Sequence, residues 1–253
     1  LRLAPYSNQI TWVETIPAEP IEIAQVHEPS MVDAVQIAAN QGPMIIDLAP
    51  TYVTQGSFLA ALNAAGGVLT CSRMILQGKA QRAFALVRPP GHHAKPDWVM
   101  GFCLFNNLAI AVHDALQMGV EKVMIVDFDA HHGNGTQDIF ANEKRVTFIS
   151  THQEHIYPGT GMFDNEPIHK GRIINLPLPA NAGDRAFSQI AEHILVPVAN
   201  RLKPEIIFVS AGFDAHWTDP ITQLGVSTTG FYQLSQILIQ IADTHCNGRI
   251  IYV

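Results

Sequence analysis

Two short stretches carry side chains able to do chemistry together. DFDAHHGNGTQ (127–137) packs Asp127, Asp129, His131 and His132 directly behind the apolar run VMIV. RPPGHHA (88–94) sets two adjacent imidazoles, His92 and His93, behind a Pro-Pro-Gly approach. Carboxylate and imidazole donors at alternate positions suit zinc or another divalent first-row metal. If the chain stays extended, Asp127, Asp129 and His131 project from one side of it. A further ligand must then come from elsewhere, and Asp214, in SAGFDAHWTDP at the end of another apolar run, is the best candidate. Three protein ligands leave a position for water, as a catalytic metal requires. Histidine moves protons near neutral pH, so the tandem imidazoles could serve beside an activated water as base and then acid. The competing reading is a set of polar turns that happen to hold histidines. It suffices for a lone Asp-x-Asp or an isolated His-His, but not for acids and imidazoles gathered at the ends of several strands.

The elements that must position these groups are legible as apolar runs: 43–48, 83–87, 122–128, 145–150, 205–214 and 249–253. Between them lie stretches with three- and four-residue apolar spacing, at 57–76, 106–119, 184–202 and 228–245. Ser57 and Asp184 are candidate N-caps. Short unbroken apolar strands alternating with amphipathic helices predict an α/β fold: three layers, α/β/α, around a mainly parallel central sheet. Ligands in such folds bind beyond the carboxyl ends of the strands, where all three chemistry-bearing loops fall. No repeat or linker divides the 253 residues, so one domain over 1–253 is expected.

Composition narrows the function. Hydrophobic residues make up 47% of the chain and charged residues 15%, which describes a globule with a large interior. A net charge of −7 argues against direct nucleic-acid binding or an anionic membrane surface, both of which need a basic face. No segment reads as long enough to span a bilayer. Three dispersed cysteines, Cys71, Cys103 and Cys246, indicate neither a disulfide framework nor a CxxC site, so a reduced, cytoplasmic setting is expected.

Taken jointly, RPPGHHA, GFCLFNN, VDFDAHHGNGTQ, YPGTG and SAGFDAHWTDP resemble the histone deacetylase family in order and spacing, with the nearest likeness to class II and bacterial deacetylase-like members. The resemblance runs from about residue 23 to the last residue. It implies the arginase-deacetylase fold and zinc-dependent removal of acetyl groups from lysine side chains or polyamines, with one zinc ion per chain. It makes Asp129, His131 and Asp214 the zinc ligands and His93 the general base and acid. His92 becomes its neighbour, kept cationic by Asp127, which therefore orients an imidazole and does not bind zinc. Asn134 stands where class I members carry an acid. Gly101, Phe102 and Tyr157 match residues lining the acyl-lysine channel. The family's structural potassium would fall to Asp127, Asp129, His131, Ser150 and Thr151.

Two departures stand out. A loop acid that anchors substrate in relatives is replaced by Pro50, with Asp47 nearby and given no role. The family's catalytic tyrosine follows the last strand in a Gly-Gly-Tyr segment, whereas this sequence stops at RIIYV. A longer natural protein with that tyrosine beyond Val253 is expected, and Tyr252 is not its counterpart. An acetylated lysine peptide or a small acylated amine is the expected substrate; Ile221, where polyamine-selective relatives place an acid, favours acyl-lysine. An arginase-like ureohydrolase and a non-catalytic acyl-lysine reader rank below.

Overall fold

The computed structural model describes residues 8–163 and 171–253. Its centre is β4 (Val123–Asp127), buried at every position because it is covered on both faces. Parallel neighbours extend the sheet to six strands in the order β3 (Arg82–Phe84), β8 (Ile250–Tyr252), β7 (Ile206–Ser210), β4, β5 (Val146–Gln153), β6 (Ile173–Leu178). The two-residue pleat sends Val123 and Ile125 into one core, with residues of α3 (Ser57–Leu76) and α4 (Asn107–Gln117). Met124 and Val126 enter the other, with residues of α6 (Asp184–Ile190), α7 (Val196–Leu202) and α8 (Thr228–His245). This is the three-layer arrangement expected from the sequence.

The topology also creates the site. From β4 the chain runs through α5 (Asn134–Phe140) to β5 on one side; from β7 it runs through α8 to β8 on the other. Connections that diverge from adjacent strands open a crevice over their carboxyl ends. Asp127 and Ser210 are paired residues at that edge.

Several expectations are corrected. The run 43–48 is not a strand of the central sheet: β1 (Met44–Ile45) and β2 (Tyr52–Val53) form a separate antiparallel pair, and Ile45 and Leu48 are exposed. Strand β6 and the helices α1 (Pro20–Ile23) and α2 (Pro29–Gln41) were not anticipated. Pro177 within β6 is tolerated because β6 is an edge strand, where a missing N–H breaks no ladder. The 184–202 stretch is helical but contains a π turn, Ala191–Leu195, just ahead of Pro197, with Val196 N bonded to Ala191 O. Neither Ser57 nor Asp184 is an N-cap; those positions are Gly56 and Gly183. Asp184 instead accepts from the backbone N–H and hydroxyl of Ser227, the residue that caps α8. Finally, α3 does have the length and apolarity to cross a membrane, contrary to the sequence reading. Its buried Ala61, Leu62, Ala65, Val68, Leu69 and Ile75 belong to the core that α4 also joins, which accounts for that hydropathy.

One buried side chain ties the amino-terminal region to the histidine loop. His27 is 2% exposed, its Nδ1 lies 2.8 Å from Lys95 O, and its Nε2 accepts from Asn106 N at 2.9 Å. Asn106 in turn caps α4 through Ala109 N. The acceptor role of Nε2 places the hydrogen on Nδ1, so the bridge needs a neutral ring. Burial pushes the His27 pKa down to about 4. The unfolded chain takes up a proton on this residue near pH 6.5 and the folded chain does not. Stability from His27 is therefore complete above about pH 6.5 and declines as the pH falls toward 4. Between pH 7 and pH 5 the wild-type chain is expected to lose about 2 kcal/mol more than His27→Gln, read from urea unfolding. Equal losses in the two proteins would show that His27 is not held neutral.

Candidate active site

Strand β4 delivers Asp127 to the sheet edge with no exposed surface. A buried carboxylate needs partners. Its Oδ2 lies 3.0 Å from His92 Nδ1, and its Oδ1 accepts from Asp129 N at 3.2 Å. Beyond Asp127 the backbone bends and does not stay extended, yet alternate residues still converge. His131 N donates to Asp129 Oδ1 at 2.8 Å, and the His131 ring follows, Nδ1 at 3.1 Å from the same oxygen.

The loop after β7 closes the group. Asp214 Oδ2 lies 2.7 Å from His131 Nδ1, and Asp214 Oδ1 accepts from Ala130 N at 2.8 Å. The loop can pass this close because residue 212 is glycine: a Cβ there would overlap Asp129 Oδ2. Thr222 holds the loop from behind by donating its hydroxyl to Asp214 O. Ligand atoms of Asp129, His131 and Asp214 lie within 4.8 Å of one another, and all three side chains keep some solvent access. Burial disfavours a proton on His131, but Asp129 and Asp214 outweigh it and bring the pKa up to about 10. Two carboxylates and an imidazole aimed at one point call for a cation between them, a proton or a metal ion. The donor set fits a divalent first-row metal.

His92 and His93 stand beside this cluster, 8% and 4% exposed, with ring centroids 4.0 Å apart. Burial opposes a proton on His92, yet Asp127 and Asp129 prevail and raise its pKa to about 9. His93 Nδ1 faces the neutral Asn134 Oδ1 at 2.8 Å. Burial and the cationic neighbour His92 push the His93 pKa well below the usual range. Adjacent residues of the same type are thus held in opposite protonation states, because one faces a carboxylate and the other an amide.

The residues expected to line a channel form a second layer. Tyr157 meets the His93 ring edge-on, centroids 5.2 Å apart, and burial, with Asp47 second, pushes its pKa up to about 12. Gly101 and Phe102 both have positive φ, 59° and 65°; a Cβ on Gly101 would strike the His93 ring, while Phe102 is exposed. Ser150 and Thr151, one strand over, are buried: Ser150 Oγ lies 2.9 Å from His152 Nδ1, and Thr151 Oγ1 donates to Asp127 O at 3.4 Å. Tyr252 lies in β8, its ring stacked on Phe84.

Three residues that the sequence left without a role hold this layer. Asp47 Oδ2 accepts from Gly101 N at 3.1 Å, and buried Thr51 Oγ1 accepts from Phe102 N at 3.0 Å. These bonds offset part of the strain of two consecutive left-handed residues. Met100 Sδ accepts from Asn134 Nδ2 at 3.3 Å. No sequence pattern marks these contacts, since each spans at least 34 residues.

Comparison with known proteins places this geometry. The family model described as "Histone deacetylase domain" matches residues 1–253, beyond the start near residue 23 read from the motifs. The chain is 41% identical to a "Probable deacetylase" of Archaeoglobus fulgidus over 98% of its length and 69% of that protein's. It is 41% identical to chloroplastic histone deacetylase 14 of Arabidopsis thaliana, with 91% and 58% covered. It is 37% identical to the histone deacetylase-like amidohydrolase of Pseudomonas aeruginosa, with 78% and 53% covered. The chain thus spans about half to two-thirds of these relatives. The crystal structure of the HDA15 HD domain superposes with a TM-score of 0.90 at 35% identity, covering 99% of this chain and 71% of that one. Fold, sequence and the order of the site-bearing loops agree: the chain belongs to the histone deacetylase family.

Proposed function

We propose that the chain is the catalytic domain of a zinc-dependent deacetylase that hydrolyses acyl amides of lysine side chains or small amines. One observation carries this reading: two adjacent imidazoles, one facing a carboxylate and the other an amide, stand at the edge of a three-residue cluster able to hold a metal. Asp129, His131 and Asp214 would hold the ion. When bound, zinc supplies Lewis-acid polarisation of the acyl carbonyl and of water.

The remaining work falls to this chain's own groups. Asn134 Oδ1 accepts a hydrogen bond from His93 Nδ1–H, which leaves Nε2 with a free lone pair for the proton of the attacking water. The protonated ring then returns that proton to the leaving amine nitrogen. His92, fixed as a cation by Asp127, places positive charge where negative charge develops. Tyr157 and Phe102 offer aromatic walls to an extended apolar acyl-lysine stem. The turn after Asp214 supports acyl-lysine over polyamine, since exposed Ile221 carries no charge there and Asp219 Oδ1 accepts from Ile221 N and Thr222 N.

The proposal includes a structural potassium ion near Asp127, Asp129, His131, Ser150 and Thr151. Its support is that buried Asp127 and Ser150 are neighbours across β4 and β5. It also includes a cytoplasmic setting, in keeping with three unpaired cysteines.

Two measurements test the reading. Purified protein is expected to hold one divalent transition-metal ion per chain, and Asp214→Ala to hold none, by elemental analysis. Two tightly held ions would redirect the assignment toward a binuclear ureohydrolase. At natural length, His93→Ala is expected to keep its metal and lose turnover of acetyl-lysine peptide by about a hundred-fold or more. Activity near the wild-type level in that variant would remove His93 from the role of base.

A further inference from the structure

The base in this site is useful in only one tautomer. With hydrogen on Nδ1, His93 presents a bare Nε2; with hydrogen on Nε2, it cannot accept a proton there. The choice is made by what faces Nδ1, and here that is the Asn134 side chain at 2.8 Å. An asparagine is ambiguous in a way a carboxylate is not. Its two ends are nearly the same shape, one accepting and one donating, so a rotation by half a turn reverses its demand on the imidazole. Turned one way, Asn134 accepts from Nδ1–H and frees Nε2. Turned the other way, it donates to Nδ1 and forces the hydrogen onto Nε2.

The far end of the amide decides. Asn134 Nδ2 lies 3.3 Å from Met100 Sδ. A thioether accepts weakly and has no hydrogen to donate. It can face the NH2 end but gives nothing to a carbonyl oxygen. Met100 itself is fixed by the turn it opens: Cys103 N donates to Met100 O at 3.0 Å, Cys103 Sγ to Gly101 O at 3.3 Å, and Gly101 N to Asp47 Oδ2 at 3.1 Å. These bonds fix the backbone from which the sulfur reaches the amide.

We propose that Met100 is a positioning residue that sets the tautomer of His93 by orienting the Asn134 amide. It acts through Asn134, the partner its sulfur meets. The inference rests on the reading of His93 as base, so its test includes a readout independent of turnover.

The experiment is a double-mutant cycle in the natural-length, zinc-loaded protein. Met100→Leu keeps the volume and removes the acceptor. With Asn134 present, kcat on an acetyl-lysine peptide is expected to fall by about ten-fold with KM unchanged, as for loss of a group that matters only in the transition state. In an Asn134→Asp background, where either carboxylate oxygen accepts from Nδ1–H, the same Met100→Leu change is expected to alter kcat less than two-fold, about the error of such cycles. Met100→Gln, unbranched and able to donate as well as accept, is the second variant and is expected to behave like Met100→Leu. Nitrogen-15 NMR of the His93 ring reads the tautomer directly. The Nδ1–H form is expected to dominate in the wild-type chain, to share population with Nε2–H in Met100→Leu, and to be restored by Asn134→Asp. Equal losses of kcat in both backgrounds, or an unchanged His93 tautomer in both Met100 variants, would overturn the proposal. If neither protein turned over acyl-lysine, the reading of function would fail while the NMR comparison still decided the role of Met100.

Discussion

A carboxylate with no exposed surface stands at the end of the central strand, and much of the site follows from satisfying it. Asp127 is placed by β4, whose preceding residues are locked between two cores and cannot shift to relieve it. Leaving such a group unpaired is costly. The histidine loop must therefore return to the sheet edge and set His92 Nδ1 against it. That requirement fixes the loop from both sides: Pro89, Pro90 and Gly91 shape its entry, and the neutral His27 bridge to Lys95 and Asn106 holds its exit. His93, next in sequence, is carried into place by the same constraint.

The charges are then distributed by their immediate neighbours. His131 sits between two carboxylates at hydrogen-bonding distance, His92 has Asp127 at 3.0 Å and Asp129 at 3.8 Å, and His93 faces an amide. His27 and His132 see no carboxylate at hydrogen-bonding distance, and burial leaves both below the usual imidazole range, His132 at about 3. Within one domain the imidazole pKa thus runs from about 3 at His132 to about 10 at His131. Burial alone would push every one of them down; the carboxylates select which are pulled back up.

The close packing of the loops explains why the motifs carry glycine where they do. Gly212 lets the β7 loop cross Asp129, and Gly101 lets its turn touch the His93 ring. At both places a carboxylate or imidazole occupies the volume that a Cβ would need. The glycines are thus part of the site's geometry and not merely of its turns.

The strands that lead to Asp127 and Asp214 were legible because burial on both faces demands unbroken apolar runs, and an acid at or soon after the end of such a run announces its edge. Asp127, Asp129, His131, Asp214 and the His92–His93 pair drew notice for the same reason: their side chains are unusual at such positions and are close in sequence or repeated after strands. Setting Asp127 apart from the candidate ligands Asp129, His131 and Asp214 came from the family resemblance and not from spacing. The run at 43–48 misled because apolarity alone does not separate a sheet strand from an exposed two-residue pair. Strand β6 was hidden by a proline that only its edge position makes tolerable. What the chain by itself determined was five of the six strands of the central sheet and the chemical types gathered beyond their ends. What only the tertiary structure decided was which partner each group meets: Asp127 with His92, Asn134 with both His93 and Met100, Asp47 with Gly101. Those pairings join residues 34 to 54 positions apart, and no local pattern encodes a contact that exists only once the loops close over one crevice.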